Sequence, residues 1–185
     1  MSILLSLSPF AVFFVLMRLR SPMAGLIGAF AASLLLCAFM RRRGEAVKNL
    51  EVGSLVLFGL LCAYTWLGAP TWSVATVRLA VDAGLLAIVL VSLAIGQPFT
   101  LQYARERVPD PIWARPVFFT TNVIISSIWA GAFAVLVGAD AAAEWLPGVP
   151  LWIDIAASVA AFVGAVWFSN WYPAVVRRRY PAPTQ

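Results

Sequence analysis

The feature that most constrains this chain is a series of long apolar runs separated by short segments that hold most of the charge. A helix needs about 20 apolar residues to cross the hydrocarbon core of a bilayer, with about 17 as a practical minimum. The six runs cover residues 3–17, 22–40, 52–68, 72–96, 117–138 and 151–172. All except the first reach that length. The pattern predicts an all-α, polytopic membrane helical bundle with about six transmembrane helices.

The composition supports a lipid-exposed protein. Hydrophobic residues make up 62% of the 185 residues and charged residues only 11%, whereas soluble domains carry about a quarter charged residues. The surplus of apolar surface has to face lipid. Because no polar stretch is long enough to fold separately, residues 1–185 are predicted to form one membrane domain.

The basic residues indicate the orientation. If the N-terminus is cytoplasmic and there are six spans, the inner side holds ten of the 13 lysines and arginines: Arg41, Arg42, Arg43, Lys48, Arg105, Arg107, Arg115, Arg177, Arg178 and Arg179. The positive-inside rule therefore predicts that both termini are cytoplasmic. Topology accounts for the net charge of +5, so we expect no nucleic-acid partner. The fifth loop, which carries Asp140 and Glu144, is predicted to lie outside.

Arg78 and Asp82 are the most informative polar residues. They lie four residues apart inside the fourth run, so a helix sets them on one face, with Asp82 near the middle. A charge at the bilayer centre costs about 2.5–3.5 kcal/mol, and such a pair is expected to face the bundle interior or a water-filled cavity. It is either a polar site for an ion, proton or headgroup, or a salt bridge that fixes helix register.

Other polar residues fall on the predicted outer side. Arg18 and Arg20, between the first two runs, are expected to contact lipid headgroups or a substrate. Asp154 is most simply an exposed residue near a helix N-terminus, where the helix dipole favours it. A second hypothesis is that Arg18, Arg20 and Asp154 form one outward-facing polar cluster. Arg78 and Asp82 would also belong to this cluster.

The fifth run carries a polar stripe of Asn122, Ser126 and Ser127, for which interhelical hydrogen bonds are the expected role. Asn122 is also a candidate member of the intramembrane site. Trp129 lies deep in the same run, so its indole N–H needs a partner inside the bundle. Small residues every four positions predict packing faces at Ala24, Gly28 and Ala32, and at Ala156, Ala160 and Gly164.

Residues 98–107 fit either a short interfacial helix, ended before Pro109, or a solvated loop. No metal or cofactor site is expected, because the chain has no histidine and no motif for phosphate binding or nucleophilic catalysis. An enzymatic function would rest on Arg78, Asp82, Asp154 and tyrosines alone, so it is less expected than a non-enzymatic one.

Several short motifs resemble the intracellular septation protein A family of bacterial inner-membrane proteins. They are the opening Ser8-Pro9-Phe10-Ala11-Val12-Phe13-Phe14, the arginine-rich junction after the second run, and Gly96-Gln97-Pro98-Phe99 followed by a charged stretch and Pro111-Ile112-Trp113. Run order and length are also similar across most of the chain. The family's Asn-x-x-Trp stretch has no clean counterpart, since Asn122 and Trp129 are further apart.

The resemblance implies a multi-pass protein of the bacterial inner membrane that supports cell-envelope biogenesis and septation. Its expected partners are membrane lipids, other inner-membrane proteins and a second copy of the chain. The family supplies no catalytic residues. The alternative is a small transporter, channel or lipid-handling protein that uses Arg78 and Asp82.

Overall fold

The computed structural model describes residues 3–68, 72–146 and 150–179, so parts of the predicted domain 1–185 lie outside the described residues. The chain divides into two compact units, Met1–Ile88 and Val89–Gln185, and each is described by itself. Unit 1 contains α1 (Ile3–Ser6), α2 (Ser8–Leu19), α3 (Pro22–Arg42), α4 (Asn49–Gly68) and most of α5 (Val74–Ala94). Unit 2 contains the end of α5, then α6 (Phe99–Arg105), α7 (Asp110–Trp113), α8 (Pro116–Trp145) and α9 (Leu151–Arg179).

The predicted all-α membrane fold is confirmed. Throughout the described ranges the regular structure is helical, and α3, α4, α5, α8 and α9 are each long and apolar enough to cross a membrane. The first predicted run is divided between α1 and α2. Pro9 lies in the first turn of α2, and because proline lacks an N–H and clashes with the carbonyl four residues earlier, the helix is interrupted at Leu7.

Close packing of α2 on α3 depends on glycine in the second run. A Cβ added to Gly25 would lie 2.9 Å from the Phe13 carbonyl oxygen and 3.0 Å from the Met17 Cβ. Gly28 belongs to the predicted small-residue face, and a Cβ added there would meet the Leu16 side chain. Small side chains let helix backbones approach closely in lipid, where no hydrophobic force drives association.

The α4 and α5 helices pack antiparallel through two further glycines. Gly53 of α4 lies against Ile88, and Gly84 of α5 lies against Leu57. The core of unit 1 is aromatic, since the Phe58 ring lies 5.0 Å from Phe10 and 6.0 Å from Phe13 between centroids. Phe13 and Phe58 are fully buried.

The hairpin of α8 and α9 dominates unit 2, and both helices are longer than the predicted spans. The α8 helix continues to Trp145, so Asp140 and Glu144 are helical and the prediction that they belong to a loop is wrong. Residues 139–145 are mostly alanine and other good helix formers, and no proline follows until Pro147. The α9 helix continues past Pro173 to Arg179.

The second predicted small-residue face does not pack against the described part of the chain. Ala156, Ala160 and Gly164 are exposed on α9, and a Cβ on Gly164 would have no neighbour within 4 Å. The packed face of α9 contains Asp154 and Ala165 instead. In an alanine-rich helix, small residues recur at this spacing on several faces, so the spacing alone did not identify the packed one.

Gly25→Ala is expected to lower the free energy of unfolding by about 1–3 kcal/mol, because the new methyl group meets backbone and Cβ atoms of α2 that cannot move independently. Gly131→Ala is the matched control, since a Cβ there has no neighbour within 4 Å. Both substitutions make the same gain in helix propensity, so the difference between them isolates the clash. Unfolding in detergent micelles measures it, and equal stability of the two variants would contradict the close packing.

Candidate functional site

Lysine, aspartate and glutamate side chains are buried at three places in the described chain. Lys48 and Glu51 lie at the start of α4, Asp82 lies within α5, and Asp140 and Asp154 lie in the α8–α9 hairpin; each is at most 3% exposed. In a membrane protein, such residues mark ion pathways, relays or ligand sites more often than they mark simple packing. These three places are therefore the candidate sites.

Trp129 fixes the register of the α8–α9 hairpin. Its indole Nε1 donates a hydrogen bond of 2.9 Å to Ser169 Oγ, and its ring lies 5.3 Å from the Phe162 ring between centroids. The prediction that this indole has a partner inside the bundle is confirmed. Ser169 and Phe162 flank the buried Ala165 on α9, so Trp129 lies opposite Ala165.

This register brings Asp140 opposite Asp154. Asp140 follows Trp129 by about three helical turns, and Asp154 precedes Ala165 by the same number of residues. Each aspartate lies within about 20° of the packed face of its own helix, because 11 residues nearly complete three turns. The register therefore places the two residues at about one level of the hairpin, and both side chains are 1% exposed.

The burial of Asp154 differs from what was expected for this residue. The prediction of an exposed residue is wrong, although Asp154 does lie in the first turn of α9, where the helix dipole favours negative charge. Asp140, Asp154 and nearby Glu144 each take part in further interactions. Buried carboxyl groups on membrane-spanning helices are groups that can relay a proton or bind a small cation.

Arg78 and Asp82 share one face of α5, as predicted. Asp82 is 2% exposed and Arg78 is partly exposed, and each takes part in further interactions. Since Gly84 packs on Leu57 in an antiparallel pair, Asp82 lies opposite Gly59, about halfway along α4. Its predicted position near the middle of a span agrees with this packing.

The start of α4 holds a buried polar group that the sequence analysis did not single out. Ser6 Oγ donates a hydrogen bond of 2.5 Å to Glu51 Oε1, and Lys48 lies one turn before Glu51. Lys48 was predicted to lie in a basic loop. The sequence does carry a signal for this group. Lys48 and Glu51 are three residues apart at the start of a helix, a spacing that makes two side chains neighbours. Arg18 and Arg20 are exposed near the opposite end of α2 from Ser6.

A separate polar seam joins α6 to α8. Thr100 Oγ1 donates to the Asn122 carbonyl oxygen at 3.0 Å and lies 2.8 Å from Ser126 Oγ. The predicted interhelical role is confirmed for Ser126, but it is wrong for Ser127, which is exposed and donates to the Val123 carbonyl of its own helix. Asn122 precedes Asp140 by about 27 Å of helix, so the structure does not bring Asn122 together with the aspartate pair.

The seam also shows where the short helix α6 lies. Gly96 has φ of +69°, a conformation that glycine adopts at little cost, and this turn lets the Phe99 N–H donate to Ser92 Oγ at 3.2 Å. The Phe99 ring lies 6.4 Å from the Trp129 ring between centroids. A helix within 98–107 is therefore confirmed, but its first residues are buried against α8 and do not face headgroups.

Three aromatic residues that carry the family resemblance lie in the two cores. Phe10 and Phe13 pack on Phe58, and Phe99 packs on Trp129, whereas Pro111 and Trp113 are exposed. Phe10 and Phe13 of the opening motif, and Phe99 of the third motif, thus serve helix packing in this chain. No protein-family model, curated protein or solved structure matches the chain significantly.

Thr100→Val is expected to lower the free energy of unfolding by about 1–3 kcal/mol, because it leaves the buried Ser126 hydroxyl and Asn122 carbonyl without the Thr100 hydroxyl. Thr121→Val is the matched control, since the Thr121 hydroxyl donates only to the Val117 carbonyl of its own helix. Unfolding monitored by tryptophan fluorescence in micelles compares the two. Equal stability would show that α6 is not held by this seam.

Proposed function

We propose that this chain is a small transport protein of the bacterial inner membrane that moves a proton or a small cation. The observation that carries the proposal is the burial of Asp140 and Asp154, each 1% exposed on a helix long and apolar enough to span a membrane, at one level of the hairpin register. Burying carboxyl groups in a membrane is costly, and proteins that do so commonly use them to relay protons or bind ions.

The buried Asp82 adds support to this proposal. It lies on a third spanning helix at about mid-height. A buried carboxyl group on a spanning helix is by itself a candidate exchange position for a proton or small cation. In this proposal Arg78 supplies a positive charge on the same face of α5 as Asp82.

A second candidate function is support of cell-envelope biogenesis and septation through contacts with membrane proteins and lipids. The observation that favours it is the exposure of α9, of whose apolar window only 11% is buried. A spanning helix with so much accessible apolar surface can face a second copy or another inner-membrane protein as well as lipid. The exposed Pro111 and Trp113 of the resembling motif lie in the same unit.

The transport proposal predicts ion flux in reconstituted vesicles. Purified protein in liposomes loaded with a pH-sensitive dye is expected to dissipate a pH gradient faster than protein-free liposomes. Asp140→Asn and Asp154→Asn should each slow this flux at least about tenfold, the effect of 1.4 kcal/mol on a barrier. Asp110→Asn is the matched control, since Asp110 is exposed on α7, and it should leave the rate within about twofold.

The cation arm of the experiment repeats the assay with gradients of sodium and of potassium at constant pH. Flux that depends on one of these ions and on Asp154 assigns the cation as substrate. Wild-type protein that is folded, yet no faster than empty liposomes for protons, sodium and potassium, would contradict the proposal. That result, together with normal division of cells carrying the double asparagine variant, would favour the envelope function.

A further inference from the structure

The same hairpin register places arginines from two parts of the chain at one level. Arg115 precedes Trp129 by the same number of residues that separate Ala165 from Arg179, so the start of α8 lies opposite the end of α9. The segment that leads into α8 adds two more arginines. We call this group the arginine end; its members are Arg105, Arg107, Arg115, Arg177, Arg178 and Arg179.

The guanidinium groups of the arginine end are accessible. All are exposed except Arg115, which is partly exposed, and among the described residues none forms an ion pair with a carboxylate. Only Glu106 and Asp110 supply negative charge in the adjoining segment of residues 97–116. A concentration of positive charge therefore remains at this end of unit 2 with its hydrogen-bond donors available to a ligand.

Aromatic side chains border the arginine end on the side of the spanning segments. The Arg105 guanidinium carbon lies 5.6 Å from the Trp113 ring centroid, and Trp113 Nε1 donates to the Val108 carbonyl at 3.1 Å. On α9, the stacked rings of Trp167 and Trp171 lie 5.3 Å apart and are 60% and 45% exposed. Exposed tryptophans favour the boundary between acyl chains and headgroups.

Along α9 the order is thus apolar residues, then aromatic rings, then arginines. A phospholipid bound alongside would present acyl chains, glycerol and phosphate in that order. Arginine binds phosphate oxygens through two parallel N–H donors, and six arginines exceed what one phosphate can engage. Basic sites of this kind on the cytoplasmic side of membrane helices are suited to cardiolipin, which carries two phosphates.

We propose that the arginine end is a binding site for a phospholipid with two phosphates, distinct from the buried aspartates. The arginines at the end of α9 and those of the segment before α8 jointly bind the two phosphates of one lipid. The site is independent of the transport proposal, since it involves neither Asp140 nor Asp154.

Lipid retention tests this proposal. Full-length protein is reconstituted in vesicles of phosphatidylethanolamine, phosphatidylglycerol and cardiolipin, extracted in mild detergent and weighed with its bound lipid by native mass spectrometry. Wild-type protein should retain cardiolipin in preference to phosphatidylglycerol. Replacing Arg177, Arg178 and Arg179 together by glutamine should reduce cardiolipin retention about tenfold.

Two further variants control for orientation and bulk charge. Arg105→Gln with Arg115→Gln leaves the three C-terminal arginines that help set topology, and it should also lower retention severalfold. Arg18→Gln with Arg20→Gln removes two exposed arginines of unit 1 and should retain cardiolipin as the wild type does. Millimolar inorganic phosphate should not displace the lipid.

Three results would overturn the proposal. The first is retention that falls equally in the Arg18 and Arg20 control, which would show general surface attraction. The second is equal retention of phosphatidylglycerol and cardiolipin, which would show that two phosphates are not recognised together. The third is displacement by inorganic phosphate, which would assign the arginine end to a free anion.

Discussion

The contacts of Trp129 are the constraint on which unit 2 depends. Its indole N–H has to be satisfied away from water, and Ser169 of α9 satisfies it. Its ring also contacts Phe162 of α9 and Phe99 of α6. One side chain therefore fixes the register of the α8–α9 hairpin and the position of the short helix before it. Because both helices are long, a shift of one turn at Trp129 would displace every opposed pair along them.

Two groups of opposite charge follow from this register at opposite ends of one hairpin. Near the turn, Asp140 lies opposite Asp154, and both are buried. At the far end, Arg115 lies opposite Arg179, and the surrounding arginines are accessible. Buried carboxyl groups suit a small ion or proton, whereas accessible guanidinium groups beside aromatic rings suit a phospholipid headgroup. In the two proposals, the hairpin would bind an ion at the aspartates and a lipid headgroup at the arginines.

The sequence predicted the helical membrane fold because lipid permits few alternatives. The length of each apolar run can also be read from the sequence without knowing any contact. It also predicted a partner for Trp129 and an interhelical role for Ser126. It missed Asp140, because the apolar pattern ends at Gly138 although alanine-rich helix continues to Trp145. It favoured an exposed Asp154 over membership of a polar cluster, because which face of α9 is packed depends on α8 and not on local spacing. Thr100 and Glu51 were missed for the same reason, since their partners lie far away in sequence.

The central claim is the register that sets Asp140 opposite Asp154, and disulfide cross-linking tests it most directly. In a background with Cys37→Ala and Cys62→Ala, the pair Asp140→Cys with Asp154→Cys should cross-link efficiently under mild oxidation, since facing positions of packed helices meet the distance that a disulfide requires. The pair Asp140→Cys with Val163→Cys, which uses an exposed position further along α9, should not. Cross-linking of the second pair in preference to the first would contradict the register and both sites that depend on it.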